Sequence, residues 1–216
     1  MLLANHFLFI HIDKAAGTSI QRALKSHAFP RADSRLRRRL TWLGKLNRLG
    51  LHRVMEFPEH VTADVVQDCL PPEIYGGLFK FAFVRNPWDR LVSRYHFLLR
   101  STDRSDHARI KAMKNFDEYL RWEIARDKFY QHTYVCGADG KLIVDFVGYY
   151  ERLEEDFAKV CARLGVKESL PKANTSKHDD YRNYYTPDLR ELVAGHYRRD
   201  IELFQYEFDG VASAKK

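Results

Sequence analysis

The sequence predicts an α/β fold in which a parallel sheet is flanked by helices, and three observations lead to that prediction. Two continuously apolar runs, residues 7–12 and 77–84, have the composition of buried strands. Each run passes through a short turn into a stretch whose apolar residues have helical spacing. Strands that lead into helices in this way are typical of parallel α/β sheets, whose ligands bind beyond the carboxyl ends of the strands. We therefore expect the loops after residues 12 and 84 to lie side by side in one ligand-binding crevice.

The first loop, DKAAGTS at residues 13–19, has the form of an anion site. Gly17 allows the backbone to approach a ligand, and the N–H groups of Gly17, Thr18 and Ser19 open a helix without intrahelical partners. With the helix dipole these donors attract an anion, and Lys14 overlooks the same place. The nucleoside-triphosphate loop has its lysine after the glycine, so a lysine ahead of the glycine predicts another anion. An ordinary turn of small residues is the structural alternative.

The second loop begins at Arg85, directly after the second strand. Asn86 suits the N-cap and Pro87 the first position of a helix, so a helix is predicted to start here. Ser93 lies seven residues after the cap and faces the same side of that helix. Arg85 and Ser93 could grip one compact dianion from two sides, with the arginine bidentate. A structural arginine paired with Asp89 is the alternative.

The rest of the chain reads as further helices with one hairpin. Helices are predicted over 61–70, near 115–127, over 153–165 and over 186–204, and a hairpin near 133–147 around the turn GADG. The 216 residues are long enough for one well-packed core. We expect a single domain over 1–209, followed by a polar tail at 210–216.

The charge of the chain is concentrated in one segment. The net charge is +7, and residues 31–53 hold eight Arg or Lys against one Asp, which is 8 − 1 = +7 on their own. Its leucines have helical spacing, so this segment is predicted to form an amphipathic helix. Such a segment attracts nucleic acid, acidic polysaccharide or anionic lipid. A solvated basic face without a ligand is the alternative.

Cysteines and apolar runs indicate the compartment. The three cysteines are an odd number without a C-x-x-C pair, so neither a disulfide framework nor a zinc knuckle is suggested. A cytoplasmic location is the simplest expectation. No apolar stretch reaches the roughly 18–20 residues of a membrane span. The N-terminal apolar run lacks a basic region ahead of it and leads straight into the first loop, unlike a secretion signal.

Taken together, the two loops resemble the donor-binding motifs of sulfotransferases. HIDKAAGTS resembles their 5′-phosphosulfate loop and FAFVRNPWDRLVSRY their 3′-phosphate segment. The donor that this resemblance implies is 3′-phosphoadenosine-5′-phosphosulfate (PAPS), bound to a P-loop-like sheet. With VGYYERLEEDFAKVCARLG and YYTPDLRELVAGHYRRDIELFQYEF, the chain resembles the carbohydrate sulfotransferases of the chondroitin and dermatan type (sulfotransferase family 2), in a short bacterial form. The resemblance covers roughly residues 7–20 and 55–209.

The resemblance also implies roles for single residues. The implied donor-binding set is Lys14, Ala16, Gly17, Thr18, Ser19, Arg85, Ser93, Tyr150, Ser176 and Lys177. Lys14 would bind the 5′-phosphate and stabilise the leaving oxygen as the sulfuryl group departs. Arg85 and Ser93 would hold the 3′-phosphate, together with Ser176 and Lys177 from a segment that closes over the donor. Tyr150 would stack on the adenine, and a core aromatic beside Phe146 is the alternative for that tyrosine.

His60 is predicted to be the base that takes the proton from the acceptor hydroxyl. A positioned base contributes roughly 10²–10⁴-fold to a rate. His60 lies 25 residues before Arg85 at the start of a predicted helix, where related sulfotransferases place a catalytic histidine. His52 and Glu59 are its rivals, and a histidine with a structural hydrogen bond is the alternative. Asp13 stands where the family usually has proline, so the geometry of the loop is left open.

The resemblance implies transfer of a sulfuryl group from PAPS to a carbohydrate hydroxyl, with release of adenosine 3′,5′-bisphosphate. No metal is expected, since no Walker-type Mg²⁺ ligand is needed and the ten histidines form no H-E-x-x-H pattern. If the segment 31–53 lines the acceptor cleft through Arg37 and Arg38, the glycan acceptor is anionic. No nucleic-acid partner is expected. Peripheral contact with a membrane is a further alternative for this segment. The alternatives are a small alcohol, phenol or lipid as acceptor, or a non-catalytic binder of acidic polysaccharide or nucleic acid.

Overall fold

The computed structural model of the chain describes residues 1–4, 6–28, 57–171 and 179–212. It divides into two compact units, Met1–Val84 with Thr133–Ala173, and Arg85–His132 with Asn174–Lys216. Each unit has an apolar core of its own. Within the described ranges, no helix is both long and apolar enough to cross a membrane. The expectation of one domain over 1–209 stays a prediction.

The elements follow one another as short strands between helices. The strands are β1 (Leu2–Leu3), β2 (Phe7–Ile10), β3 (Phe79–Val84), β4 (Phe146–Tyr149), β5 (Tyr206–Glu207) and β6 (Gly210–Val211). The α-helices are α1 (Gly17–Leu24), α2 (Ala63–Cys69), α3 (Pro72–Gly77), α4 (Pro87–Arg100), α5 (His107–Lys111), α6 (Phe116–Ala125), α7 (His132–Val135), α8 (Leu153–Leu164), α9 (Pro187–His196) and α10 (Arg198–Phe204). Short 3₁₀ turns cover Lys25–His27, Tyr150–Arg152 and Tyr181–Tyr184.

The first unit is built on a four-stranded sheet with the order β1-β2-β3-β4. β2 and β3 pair in parallel with Phe9 opposite Phe81, and β3 and β4 pair in parallel with Phe83 opposite Gly148. β1 lies antiparallel to β2 at the edge of the sheet. The predicted α/β fold with a parallel sheet is therefore confirmed, and one antiparallel edge strand is added to it.

Aromatic side chains of the strands form the core of this unit. The cluster includes Phe7 and Phe9 of β2, Phe81 and Phe83 of β3, Ile20 and Leu24 of α1, and Phe157 and Val160 of α8. The rings of Phe9 and Phe81 stack with their centroids 5.2 Å apart. A Cβ on Gly148 would lie 2.5 Å from Cε1 of Phe83, so only glycine fits on β4 opposite that ring. Strands covered on both faces explain why β2 and β3 read as continuous apolar runs.

The second unit is mainly helical. Its core includes Trp88, Leu91 and Val92 of α4, Tyr119 and Leu120 of α6, and Leu189 and Val193 of α9. Nε1 of Trp88 donates to the carbonyl of Arg190 over 3.2 Å, and the hydroxyl of Tyr185 donates to the carbonyl of Trp88 over 2.9 Å. These two aromatic residues can be buried because their polar atoms keep hydrogen-bond partners.

The hairpin predicted near 133–147 is present beside the GADG turn but is shorter than predicted. The Gly137 amide donates to the Lys141 carbonyl and the Ile143 amide to the Val135 carbonyl, each over 2.9 Å. Cys136 and Leu142 form a single antiparallel bridge across the GADG turn. The last residues of the predicted hairpin belong to β4, which pairs with β3 instead. The strand that pairs with β4 lies far away in sequence, and a local pattern of residues does not determine which strands pair.

The end of the chain also differs from its prediction. The helix predicted over 186–204 divides at Tyr197, whose φ of −98° and ψ of 22° are not helical, into α9 and α10. Tyr197 is 2% exposed, and its hydroxyl donates to the carbonyl of Lys128 over 3.4 Å. Residues 210 and 211, placed in a polar tail by the sequence, form β6 and pair with β5.

Candidate active site

The loop between β2 and α1 has a strained backbone. Lys14 and Ala16 have φ angles of 64° and 63°, in the left-handed region that favours glycine. Each such residue costs about 1–2 kcal/mol when it carries a side chain. Strain of this kind persists where the surroundings hold it and clusters at ligand sites. The turn therefore marks the first loop as a candidate site on grounds independent of its sequence motif.

The start of α1 lacks a side-chain cap. Its N-cap residue is Ala16, whose side chain cannot accept a hydrogen bond. The amide of Ser19 donates to the carbonyl of Ala16 over 3.0 Å, so the prediction that this amide has no intrahelical partner is wrong. The amides of Gly17 and Thr18 donate to no described residue, and Thr18 is exposed. The capacity of this helix end to hold an anion therefore rests on two amides and not on three.

Gly17 is required by packing inside the protein. The imidazole of His11, 4% exposed, lies where a side chain at position 17 would stand. A Cβ there would be 1.7 Å from Cδ2 and 1.9 Å from Nε2 of that ring. Glycine therefore lets the start of α1 pass over a buried histidine, a reason that the motif alone did not supply.

The structure brings His60 to this loop through the same histidine. Nδ1 of His60 lies 3.1 Å from the carbonyl oxygen of His11, and the two rings are 4.7 Å apart between centroids. Because a carbonyl oxygen only accepts, Nδ1 of His60 must carry the hydrogen, and a neutral ring then has its lone pair on Nε2. His60 is exposed, as a base for an external substrate must be. The rival Glu59 has Oε1 3.2 Å from Nδ1 of His11.

Tyr150 follows the last strand of the sheet. It opens the 3₁₀ turn after β4 and is half-buried, whereas Phe146 packs against the core of the first unit. The turn is tied down by Asp156, which accepts from the amide of Tyr149 over 2.9 Å and from Nε of Arg152 over 2.8 Å. Burial alone would raise the pKa of Asp156, but hydrogen bonds from Lys159, Arg152 and the Tyr149 amide outweigh it and lower that pKa. An ionised Asp156 therefore fixes the backbone beside Tyr150.

Arg85 belongs to the second unit and makes the pairing named as its structural alternative. Its Nε and Nη2 each lie 2.8 Å from an oxygen of Asp89, and Arg85 is 5% exposed. Ser93 lies on α4 and is 2% exposed. One edge of the guanidinium is thus held by a carboxylate on the following turn of helix.

The backbone of Arg85 is held by a clamp that the sequence did not predict. Oε1 of Gln131 accepts from the Arg85 amide over 2.9 Å, and its Nε2 donates to the Arg85 carbonyl over 2.8 Å. Asp200 in turn accepts from the amides of Gln131 and His132, over 2.7 and 2.8 Å. Gln131 and Asp200 are fully buried. No sequence signal points to them, because each contact joins segments far apart in the chain.

The start of α4 has a complete side-chain cap. Oδ1 of Asn86 accepts from the amides of Trp88 and Asp89 over 3.0 and 3.5 Å, which confirms the predicted cap. Its Nδ2 donates to the carbonyl of Glu207 over 2.8 Å. Asn86 is 1% exposed, so all of these bonds are shielded from water.

Several predicted site residues lie outside the described part of the chain. They are the acceptor residues Arg37 and Arg38 with their segment 31–53, the rival base His52, and the donor residues Ser176 and Lys177. Among the described residues, no group of three or more His, Cys, Asp or Glu side chains is arranged to hold a metal ion.

Known proteins are similar to this chain in sequence and in structure. The sequence model of the sulfotransferase family matches residues 3–207. An uncharacterized protein of Archaeoglobus fulgidus is 36% identical over 125 residues, which are 56% of this chain and 98% of that protein. Mouse sulfotransferase SULT7A1 complexed with PAP aligns with 91% of this chain and 84% of its own, with a TM-score of 0.53 at 13% identity. A sulfotransferase from Alicyclobacillus acidocaldarius covers 94% of both chains at 18% identity, with a TM-score of 0.46.

Proposed function

The chain belongs to the sulfotransferase family, and on that premise we propose that this enzyme transfers a sulfuryl group from PAPS to a hydroxyl of a carbohydrate. The product of the donor would be adenosine 3′,5′-bisphosphate, or PAP, the compound in the complex of mouse SULT7A1. The observation that carries the proposal is the first loop, where a strained turn with a lysine meets a helix start without a side-chain cap.

The first loop has the donor groups that a phosphosulfate needs. The amides of Gly17 and Thr18 donate to no described residue, and a helix N-terminus attracts an anion through its orphan amides and its dipole. Thr18 is exposed and adds a hydroxyl, while Lys14 adds a full positive charge. The N-cap residue, Ala16, makes no side-chain hydrogen bond to this helix end within the described part of the chain. These residues fit the 5′-phosphosulfate half of PAPS.

Catalysis would then need charge and one base. Sulfuryl transfer resembles phosphoryl transfer, in which positioning and electrostatic stabilisation do most of the work. Lys14 would stabilise the charge that develops on the leaving oxygen. His60 would accept the proton of the acceptor hydroxyl on Nε2, the nitrogen that its bond to the His11 carbonyl leaves with a lone pair.

The 3′-phosphate would be bound by Arg85 and Ser93. Two hydrogen bonds to Asp89 orient the guanidinium, and the Gln131 side chain fixes the backbone that carries it. A guanidinium held in one orientation recognises a phosphate selectively, because its donors match the phosphate oxygens only in a fixed geometry. The pairing with Asp89 therefore supports a positioned arginine in this proposal. Tyr150 would stack on the adenine.

The acceptor would be an anionic carbohydrate. The support is the charge of +7 on residues 31–53, including Arg37 and Arg38, which attracts uronic-acid or already sulfated glycans. The KM of such an acceptor should rise with salt, because exposed charges are screened beyond about 10 Å at 0.1 M ionic strength. Replacing Arg37 and Arg38 with alanine should raise that KM and flatten its dependence on salt, while donor binding stays unchanged.

One experiment tests donor and acceptor together. The purified protein is incubated with ³⁵S-labelled PAPS and a panel of neutral and acidic glycans, small alcohols, phenols and lipids. We expect label in the acidic glycans, and less of it after the Arg37 and Arg38 replacements. Label in phenols or lipids alone would overturn the carbohydrate acceptor, and no label in any product would overturn the use of PAPS.

A binding measurement tests the donor site separately. Adenosine 3′,5′-bisphosphate should raise the melting temperature more than 5′-AMP does, and Arg85→Ala should abolish that difference. Arg121→Ala is the matched control, since Arg121 forms an exposed ion pair with Asp117 on α6 and should change neither shift. Lys14→Ala should lower turnover by about two orders of magnitude, the scale of a lost electrostatic group. Its matched control is Lys141→Ala, whose side chain is 83% exposed.

A further inference from the structure

Three segments of the first unit meet at His11, which in turn contacts His60. The end of β2 continues into His11, the turn before α2 contains Glu59, and α1 contributes Gln21. We propose that His11 and Glu59 are a positioning pair that holds His60 in the tautomer with hydrogen on Nδ1. The proposal deepens the proposed function, because it rests on His60 as the base of sulfuryl transfer.

The tautomer follows from a backbone contact. The carbonyl oxygen of His11 lies 3.1 Å from Nδ1 of His60, and it can only accept. Which ring nitrogen of a histidine is protonated is set by the hydrogen bond that the other one makes. A neutral His60 in this place therefore offers Nε2 to the proton of an acceptor hydroxyl. A small rotation of the ring or a shift of the turn would lose that preference.

The side chain of His11 connects the turn to the buried part of the unit. Its Nδ1 lies 3.2 Å from Oε1 of Glu59, which is adjacent to His60 in the chain. With its amide oxygen facing His11, Gln21 contacts both partners, over 3.2 Å to Nδ1 of His11 and 3.2 Å to Oε1 of Glu59. An ionised carboxylate only accepts, so Nδ1 of His11 carries its hydrogen toward this side. Glu59 therefore links the turn that contains His60 to the end of β2 and to α1.

The His11 ring also determines the path of the first loop, at residues 13–19. It fills the space beside Gly17, where a Cβ would be 1.7 Å from Cδ2. The same ring lies 4.7 Å from the ring of His60 between centroids. One buried residue thus sets the position of the helix start that would hold the donor and of the base that would deprotonate the acceptor.

Glu59 is an alternative candidate for the base on sequence grounds, but this arrangement indicates a positioning role. Its carboxylate is engaged with His11, so we assign it to positioning and not to proton transfer. Positioning and proton transfer predict different results for one conservative substitution, Glu59→Gln. Glu59→Gln keeps an oxygen that can accept from His11 but has no basic carboxylate, whereas Glu59→Ala removes the contact.

The direct test is nitrogen NMR on ¹⁵N-histidine-labelled full-length protein at pH about 8.5, two units above the ordinary histidine pKa of about 6.5. The His60 signals are assigned by their loss in His60→Gln. We expect Nδ1 of His60 to be protonated in the wild type and in Glu59→Gln, and the preference to weaken in Glu59→Ala and His11→Phe. His107, whose Nδ1 lies 2.9 Å from the carbonyl of Leu98, is an internal control that should not change.

The outcomes decide the proposal without any donor or acceptor. Hydrogen on Nε2 of His60 in the wild type, or an unchanged tautomer in both Glu59→Ala and His11→Phe, would refute it. Glu59 is half-exposed, with 48% of its side chain accessible, so Glu59→Ala is expected to fold even if His11→Phe does not. Because NMR needs no turnover, these results stand apart from the question of whether PAPS is the donor.

Kinetics then separates positioning from catalysis. Glu59→Ala should lower kcat roughly 10-fold at unchanged affinity for adenosine 3′,5′-bisphosphate, and Glu59→Gln should restore most of that loss. If Glu59 were the base, Glu59→Gln would instead lose about 10²–10⁴-fold, the range for a removed general base, and the positioning role would be excluded.

Discussion

The two loops that follow β2 and β3 have the same plan, strand to turn to helix, and opposite local chemistry. The first ends in a helix whose N-cap, Ala16, has no acceptor side chain, and the second in a helix capped by Asn86 through two amides. The first leaves amides at the helix start for a ligand, and the second uses them within the chain. A phosphate at the first loop can therefore be bound by backbone, whereas one at the second must be bound by side chains.

The two loops also differ in how the chain maintains them. Lys14 and Ala16 adopt left-handed backbone angles, which store strain. Arg85 has a backbone whose amide and carbonyl are both satisfied by Gln131. The first loop is kept in place by packing against His11, and the second by buried hydrogen bonds. Loss of a packing contact and loss of a buried hydrogen bond have different energetic consequences, so substitutions in the two loops should distinguish them.

The largest effect is expected for Gly17→Ala. The new Cβ would overlap the His11 ring, which is 4% exposed, so we expect a loss of more than about 4 kcal/mol in the free energy of unfolding, an exceptional value for one residue. The measurement is denaturant unfolding. Gly195→Ala is the matched control, because its Cβ would meet nothing within 4 Å, and it should be neutral or slightly stabilising.

The cause of that loss can be isolated by a second substitution. If the His11 ring is the obstacle, His11→Ala should recover part of the stability lost in Gly17→Ala, so that the two changes are not additive. Additive losses would mean that the first loop is maintained by something other than this contact.

Gln131→Ala should have the next largest effect. It removes the Gln131 partners of the buried Arg85 amide and carbonyl, and each unsatisfied group costs about 1–3 kcal/mol, so a loss of about 2 kcal/mol or more is expected. Thermal unfolding is the measurement, with Gln67→Ala on the exposed side of α2 as the control. A loss below about 1 kcal/mol would contradict the view that hydrogen bonds maintain the second loop.

Asn86→Ala should cost about 1–2 kcal/mol through the lost cap, with a further contribution from the lost bond to the Glu207 carbonyl. The matched control is Asn115→Ala at the cap of α6, which accepts from the Glu118 amide in an exposed place. We expect Asn86→Ala to be clearly more destabilising than Asn115→Ala in the same unfolding assay. Equal losses would show that burial of the cap does not matter.

The smallest effect is expected for Ala16→Gly. Glycine removes the left-handed penalty of about 1–2 kcal/mol but brings an entropic cost of about 0.5–1 kcal/mol, so a gain of about 0.5 kcal/mol is expected. For a chain of this size that is a rise of about 1–2 °C in Tm. Ala23→Gly within α1 is the control and should lower Tm, because its backbone is helical.

Features set by neighbours in the chain could be predicted from the sequence. The Asn86 cap with Pro87 behind it, and the glycine that ends α8 at position 165 with φ 67°, are fixed by residues within one turn. β2 and β3 were predicted because strands buried on both faces are continuously apolar. Their parallel direction could be predicted because each strand leads through a short turn into a helix.

Features set by distant residues could not be predicted. Gln131 reaches Arg85 over 46 positions and Asp200 reaches Gln131 over 69, and neither residue belongs to a motif. The His11 ring beside Gly17 is close in sequence, but no pattern shows that a histidine rather than a ligand occupies that space. The bond of the Ser19 amide to Ala16 depends on a tight first turn of α1, which residue type alone does not determine.

The left-handed turn restricts which residues positions 14 and 16 can accept during evolution. Proline is excluded at both, because its ring fixes φ near −65°, and branched side chains are the costliest of the rest. Glycine and asparagine would be cheaper than the lysine and alanine that stand there. A library randomised at both positions and selected for folding alone should therefore drift to glycine and asparagine. Selection for sulfate transfer should retain Lys14 against that drift and leave position 16 open, so the two libraries would separate fitness for folding from fitness for chemistry.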